Sequence, residues 1–316
     1  MLSVVIPAYN EGELVLTAAR TISGVLREAN ISYELVFVDD GSKDDTWPCL
    51  RKAVQEDPNV RALSFSRNFG KEAAVFAGLE AAKGDCVAVI DCDLQHPCEK
   101  LVDMYRLWEE GWEVINGVKV SRGKESAAHG FAAKCFYKIM SKAVKIDMSR
   151  ASDFKLMDRK VVNALLGLTE HSTFFRALVG WVGFKTTEVE FSVAERAGGA
   201  THWSTLSLIR YAVSNITSFS AAPMQAVTVL GCITLVLAVV LGIQTLVRWA
   251  MGNAADGFTT VILLLLLIGS VLMISLGIIG YYIAQIFNEL KGRPRYLVAR
   301  TCSRDENVPA EEKEVL

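Results

Sequence analysis

No Asp, Glu, Lys or Arg occurs from Tyr211 to Val247, nor again from Gly257 to Asn288. As a helix, Met224 to Val247 would extend ~36 Å at ~1.5 Å per residue, against a hydrocarbon core of ~30 Å. Phe258–Ile286 is likewise long enough to cross. Trp249, Tyr281 and Tyr282 fall near the ends of these segments, where amphipathic rings prefer the membrane interface. Two buried core helices are the alternative, and such helices rarely run this long without a charge. The loop between the spans holds only Arg248 and Asp256, whereas the segment after them holds Lys291, Arg293, Arg295, Arg300 and Arg304. The positive-inside rule places that tail in the cytoplasm, and two crossings return the N-terminal part to the same side. The opening MLSVVIPAYNE lacks the basic region and long apolar core of a signal peptide. The expectation is a two-span protein of the cell membrane with its N-terminal domain and C-terminus cytoplasmic.

The remaining charge is unevenly placed. Residues 1–118 carry 11 Lys/Arg against 20 Asp/Glu, and residues 119–160 carry 11 against 4. An acidic stretch therefore meets a basic strip, which beside an anionic leaflet would give electrostatic attachment. Over all 316 residues the net charge is only -2 and the hydrophobic fraction 51%, which excludes a disordered chain and a generally basic nucleic-acid binder. The seven cysteines are odd in number and contain no CxxC pair, so neither a disulfide framework nor a zinc site is indicated.

Before the spans, short β-branched runs alternate with helix-length amphipathic segments: LSVVIP, a helix from about Glu11, YELVFVDD, a helix after Asp44, VRALSFS, a helix through Phe69–Lys83, then DCVAVIDCD. This is the alternation of a parallel sheet with covering helices. A longer helix is expected from about Glu125 to Lys145, then the run FKLM, a helix from Arg159 and the strand-like TTEVEFSVAE. Trp203, Leu206, Ile209, Val213, Ile216 and Phe219 recur at spacings of three and four, an amphipathic stripe that would lie in the membrane plane or pack on the domain. The glycines show no GxGxxG or GxxxxGK[ST] spacing, against dinucleotide or P-loop binding.

Polar residues cluster after the strands, where ligands bind in open α/β sheets. Asp91-Cys92-Asp93 follows the apolar CVAVI, and residues i and i+2 of an extended strand face the same way. Two carboxylates there could converge on Mg²⁺ or Mn²⁺, which are commonly held by one or two carboxylates and substrate phosphates. Gln95 offers a further oxygen. A solvated loop is the alternative. The four histidines show no ligand spacing.

VVIPAYNE, VDDGSKDDT, SFSRNFGKEAAVFAGLEAAKGD, IDCDLQHP, SDFKLMDRKVV and ERAGG, in this order and ahead of two spans, resemble the membrane-anchored GT-A glycosyltransferases of family two. The likeness is closest to polyprenyl-phosphate hexosyltransferases of the bactoprenol glucosyltransferase and dolichol-phosphate mannosyltransferase type. It implies an α/β, GT-A (Rossmann-like nucleotide-sugar-binding) domain over residues 1–200, an amphipathic juxtamembrane helix over 201–222, a two-helix hairpin over 223–288 and a basic cytoplasmic tail over 289–316. It further implies an inverting transfer of sugar from a nucleotide-sugar to polyprenyl phosphate, dependent on Mg²⁺ or Mn²⁺. Pro7, Tyr9, Glu11, Val38 and Asp40 would line the nucleoside pocket, with Asp39 beside it. Asp91, Cys92, Asp93 and Gln95 would form the metal and diphosphate corner, Cys92 as a small filler in place of a frequent Ala. Asp153 would lie near the acceptor, orienting it or acting as a weak base, unless it merely caps a turn. The run from His171 to Phe175 would close over the sugar.

A phosphate monoester is already anionic near neutral pH, so the acceptor needs cationic positioning more than a strong base. The departing diphosphate needs a divalent ion and Lys/Arg, which gives roles to Lys119, Arg122, Lys134 and Arg196. Lys124, Lys138, Lys142 and Lys145 read instead as a solvated or lipid-facing surface. Two positions depart from the family pattern: Lys119 stands where relatives carry Arg, losing a bidentate fork, and His202 stands at the usual Lys, making a phosphate contact there pH-dependent. A UDP-hexose, glucose first, is the expected donor, with GDP-mannose or a modified sugar as the alternative. A catalytically silent scaffold for a lipid-sugar flippase is the reading of another class. Glycines 269, 277 and 280 would allow an oligomer contact.

Overall fold

A computed structural model describes residues 1–119, 152–168, 170, 174–192, 222–251, 258–304 and 311–314. The chain divides into two compact units, Met1–Thr205 with Pro294–Leu316, and Leu206–Arg293.

In the first unit the apolar runs form strands because they bury both faces. β1 (Leu2–Ala8) and β2 (Tyr33–Asp39) are buried along almost their whole length, the signature of a parallel sheet covered on both sides. β3 (Val60–Phe65) and β4 (Cys86–Val89) extend the parallel set on either flank. The connecting helices α1 (Leu14–Glu28), α2 (Thr46–Glu56) and α3 (Lys71–Ala81) match the expected segments. Val15, Ala18, Ala19, Ile22 and Leu26 of α1 are buried at helical spacing. α3 lies so close to β1 that a Cβ on Gly78 would stand 2.2 Å from Val5 Cγ1. Only glycine fits that approach.

The sheet then departs from the all-parallel expectation. After α4 (Lys100–Glu109) and β5 (Val114–Lys119), the FKLM run forms β6 (Lys155–Asp158), antiparallel to both β4 and β5. α5 (Arg159–Leu166) and α6 (Phe175–Trp181) precede β7 (Thr186–Phe191), which pairs parallel with β5. The residues after the spans are not only a tail: β8 (Val298–Ser303) pairs antiparallel with β3, and β9 (Glu311–Glu314) with β8. The strand order is β7-β5-β6-β4-β1-β2-β3-β8-β9. Segment 289–316, expected as a basic tail alone, therefore supplies an edge of the sheet. The expected helix over Glu125–Lys145 and the stripe from Trp203 to Phe219 lie outside the described residues.

The second unit holds α7 (Ala222–Ala250) and α8 (Phe258–Leu290). Two helical segments are long and apolar enough to cross a membrane, Met224–Val247 and Leu267–Leu290, and neither is buried within the chain.

Candidate active site

The parallel strands β1 to β4 all point their carboxyl ends toward one rim of the sheet, and a cleft of about 370 Å³ opens there. Its wall begins with Pro7, Ala8, Tyr9 and Glu11 after β1, and closes with Asp91, Cys92 and Asp93 after β4. Asp40, Asn68, Gly70, Lys71 and Ala74 complete it.

The turn after β1 is fixed from outside. Ser42 Oγ accepts from Asn10 N at 2.9 Å, and Thr46 Oγ1 accepts from the N–H groups of Glu11 and Gly12, each at 2.9 Å. The two aspartates ending β2 divide their work. Asp39 is buried, accepting from Ser42 N at 2.9 Å and Ser64 Oγ at 2.8 Å, so it braces the turn. Asp40 reaches the cleft while accepting from the N–H groups of Phe69 (2.6 Å) and Gly70 (2.9 Å), which set the entry to α3. Burial raises the Asp40 carboxyl above its usual range, against those two donors. Val38 is not at the cleft wall: its side chain is buried with Phe65, Ala73, Ala74 and Ala77.

Strand β4 ends at Val89, so Asp91 and Asp93 sit in the turn beyond it rather than on an extended strand. Both nonetheless line the cleft, with Cys92 almost fully buried between them and packed into the core. Burial raises its thiol pKa strongly, so it behaves as filler rather than a nucleophile. Gln95 is not among the residues lining the cleft; its backbone N–H donates to Asp93 Oδ1 at 3.1 Å. Among the described residues no group of three His, Cys, Asp or Glu side chains converges to hold a metal. Two carboxylates on one cleft wall still suit a hard divalent ion that completes its shell with phosphate oxygens and water. The donor set fits Mg²⁺ or Mn²⁺ on Asp91 and Asp93.

A network that the residue pattern alone does not show borders these acids. Lys71 Nζ lies 2.6 Å from Asp91 Oδ1 and 2.9 Å from Asp153 Oδ2. Arg176 forks the same Asp153, Nε to Oδ1 at 2.6 Å and Nη2 to Oδ2 at 2.7 Å. Burial would raise the Asp153 carboxyl, but Arg176 and then Lys71 outweigh it and hold it well below the usual range. Burial likewise opposes the charge on Lys71, and the two aspartates overcome it and raise its pKa. Glu72 accepts from Phe175 N at 2.9 Å; burial and then the Asp153 charge push its carboxyl up to about 7. Lys155 is buried, donates to Asn116 Oδ1 at 2.8 Å, and burial brings it down to about 8.

Both missed cations carry one local signal. Lys71 is the first residue of α3 and Arg176 the second of α6, positions where the helix dipole disfavours positive charge. Carboxylates from elsewhere in the chain compensate them. Lys119 ends β5, exposed and in register with Phe191. Arg122, Lys134, Arg196, His171 and His202 lie outside the described residues. His96 stacks on Phe154 at 5.0 Å, and its buried Nδ1 has no hydrogen-bond partner among the described residues.

A mixed sheet with an acidic cleft at the rim of its parallel half defines a GT-A type α/β transferase domain. The same fold occurs in mannosyl-3-phosphoglycerate synthase from Rubrobacter xylanophilus, with a TM-score of 0.50 over 69% of this chain and 72% of that one, at 17% identity. The model of Glycosyl transferase family 2 matches residues 3–166, and the chain belongs to that family. It is 35% identical over 306 residues to the bactoprenol glucosyl transferase of Shigella phage SfII, covering 95% of this chain and 98% of the relative. It is 34% identical over 302 residues to the prophage bactoprenol glucosyl transferase homolog of Escherichia coli K12, with the same two coverages. The protein is a glycosyltransferase.

Proposed function

We propose that this glycosyltransferase moves a hexose, glucose first, from its UDP-sugar to the phosphate of a polyprenyl lipid at the cytoplasmic membrane face, with inversion. The observation that carries the reading is one chain joining a cleft with paired acids to an uncharged helical hairpin whose apolar side chains face outward. A lipid acceptor needs both. Near-full-length likeness to bactoprenol glucosyl transferases supports the acceptor class. The pairing of β8 with β3 supports the sidedness: the segments before and after the hairpin enter one sheet, so the hairpin crosses an even number of times.

Asp91 and Asp93 would hold the divalent ion. When bound, that ion supplies charge neutralisation to the diphosphate as it leaves. Pro7, Tyr9, Glu11 and Asp40 would receive the nucleoside beside it. Asp153, kept ionised by Arg176 and Lys71, serves as a fixed anchor that orders the two cations facing the acceptor phosphate. It does not take a proton, and a phosphate monoester has none that must be removed for attack. Lys119, Arg122, Lys134, Arg196 and His202 are assigned to the phosphate groups of donor and acceptor.

Membranes containing the protein, given polyprenyl phosphate, Mg²⁺ or Mn²⁺ and radiolabelled nucleotide-sugars one at a time, are expected to form organic-extractable label from UDP-glucose. Label from GDP-mannose alone would move the donor assignment. No label from any donor would overturn the reading.

A further inference from the structure

The chain returns from α8 to the α/β unit through Arg295, and that residue does more than dock a tail. Its Nη2 donates to two backbone carbonyls, those of Leu168 and Glu170, the latter at 2.7 Å. These carbonyls follow the end of α5 at Leu166, where a cation is favoured by the helix dipole. The same guanidinium lies 4.6 Å from the centre of the Phe76 ring, within cation–π range. Phe76 in turn meets Phe175 edge to face, ring centres 6.5 Å apart. Phe175 gives its N–H to Glu72, and the next residue is Arg176, whose guanidinium forks Asp153. An unbroken line of packed and hydrogen-bonded groups thus joins the residue just beyond the second apolar helix to the carboxylate at the heart of the cation network.

Neighbouring contacts hold the returning chain by other means. Tyr296 stacks on Phe65, ring centres 5.0 Å apart, and its hydroxyl donates to Glu80. Ser66 N donates to Leu297 O at 3.0 Å, after which β8 pairs with β3. With those contacts β8 has means of docking other than Arg295. Among the contacts of Arg295, the one with Phe76 leads through Phe175 to α6.

We propose that Arg295 is a positioning residue for the acceptor end of the site, setting Arg176 on Asp153 through the Phe76–Phe175 contact. The inference rests on the reading that Asp153 and its cations face the acceptor phosphate. It places the acceptor grip under the control of the segment that follows the second apolar helix in the chain.

The test compares Arg295→Met, Arg295→Lys and Tyr296→Phe in the full-length protein, with KM measured separately for nucleotide-sugar and polyprenyl phosphate. Arg295→Met keeps the stem and removes two hydrogen bonds from a charged donor. It should raise the acceptor KM about tenfold or more, the scale of one such bond, and leave the donor KM within about twofold. Arg295→Lys, which keeps the charge and donor hydrogens, should recover part of the loss. Tyr296→Phe, which loses a docking bond on the neighbouring residue, should lower the melting temperature without moving the acceptor KM. Equal shifts in both KM values, no shift in either, or the same acceptor shift from Tyr296→Phe would overturn the proposal. Should Arg295→Met fail to fold, the lysine variant carries the same comparison against Tyr296→Phe. Failure of the functional reading looks different: the unsubstituted protein would make no lipid-linked sugar at all.

Discussion

Val5 and Val236 are the same residue type in regular secondary structure, yet Val5 is 0% exposed and Val236 64%. Leu35 and Leu235 repeat the contrast at 0% and 65%. In the sheet, each apolar side chain finds its partner within the chain, against α3 on one face and α1 and α2 on the other. In the hairpin the partners are missing, and no charge interrupts the surface that lacks them. Contiguous exposed apolar surface of this extent marks an interaction site, and for helices of this length the fitting partner is lipid. Charge follows the same division. The α/β unit can keep Asp39, Asp153 and Lys155 out of water because each has a partner at hydrogen-bond distance. The hairpin keeps no Asp, Glu, Lys or Arg over its central turns.

The largest expected effect breaks the hairpin side of this contrast. Ile233→Asp together with Val236→Asp places two carboxylates near the middle of α7, at about 3 kcal/mol each on an insertion scale. Alkaline carbonate should then extract a large fraction of the protein from membranes, while the α/β unit keeps its far-ultraviolet circular dichroism. Full retention with unchanged activity would mean that α7 does not lie in lipid. On the sheet side, Asp93→Asn should reduce lipid-linked sugar formation about 10³-fold, roughly 4 kcal/mol of transition-state stabilisation, and leave membrane retention and melting temperature near those of the unsubstituted protein. The two variants separate attachment from chemistry: one loses the membrane with its cleft residues intact, the other loses turnover with its anchor intact.

A smaller effect probes how tightly the sheet supplies its own partners. Gly78→Ala drives a methyl group into Val5, an overpacking expected to cost about 1–3 kcal/mol and visible as a lower midpoint in urea. Gly269→Ala, in α8 where nothing stands within 4 Å of the added carbon, should leave that midpoint unchanged.

The same contrast explains what could be read from residue order alone. Runs such as LSVVIPA and YELVFVD are legible as strands because burial on two faces demands continuous apolar residues. The spans are legible because lipid demands the same of a longer helix. β8, with the order VARTCS, is half-exposed between β3 and the last strand of the sheet, so packing imposes little pattern on it; that it extends the sheet depends on contact with β3, more than two hundred residues earlier. The orientation of β6 is hidden for a similar reason, since four residues fit either direction. Among site residues, Asp40, Asp91 and Asp93 announce themselves as acids just past apolar strands. Lys71 and Arg176 do not, because their meaning is a distance to Asp153, and Asp153 stands 82 residues from Lys71.

The finest test asks how far the α/β unit tolerates a buried carboxyl whose hydrogen bond among the described residues comes from a backbone N–H. Glu72 has its carboxyl raised to about 7 by burial and by the neighbouring Asp153 charge. The folded state therefore holds this proton more tightly than the unfolded chain, whose carboxyl titrates near its ordinary value of about 4.3. Stability from this group is fully present below that value, declines as pH rises toward 7, and stays at its reduced level above. Glu72→Gln keeps an oxygen for Phe175 N and removes the titration. The variant should melt close to the unsubstituted protein near pH 4.5 and above it at pH 8, the gap opening between those limits. A gap that is constant with pH would show that Glu72 remains ionised in the folded protein throughout.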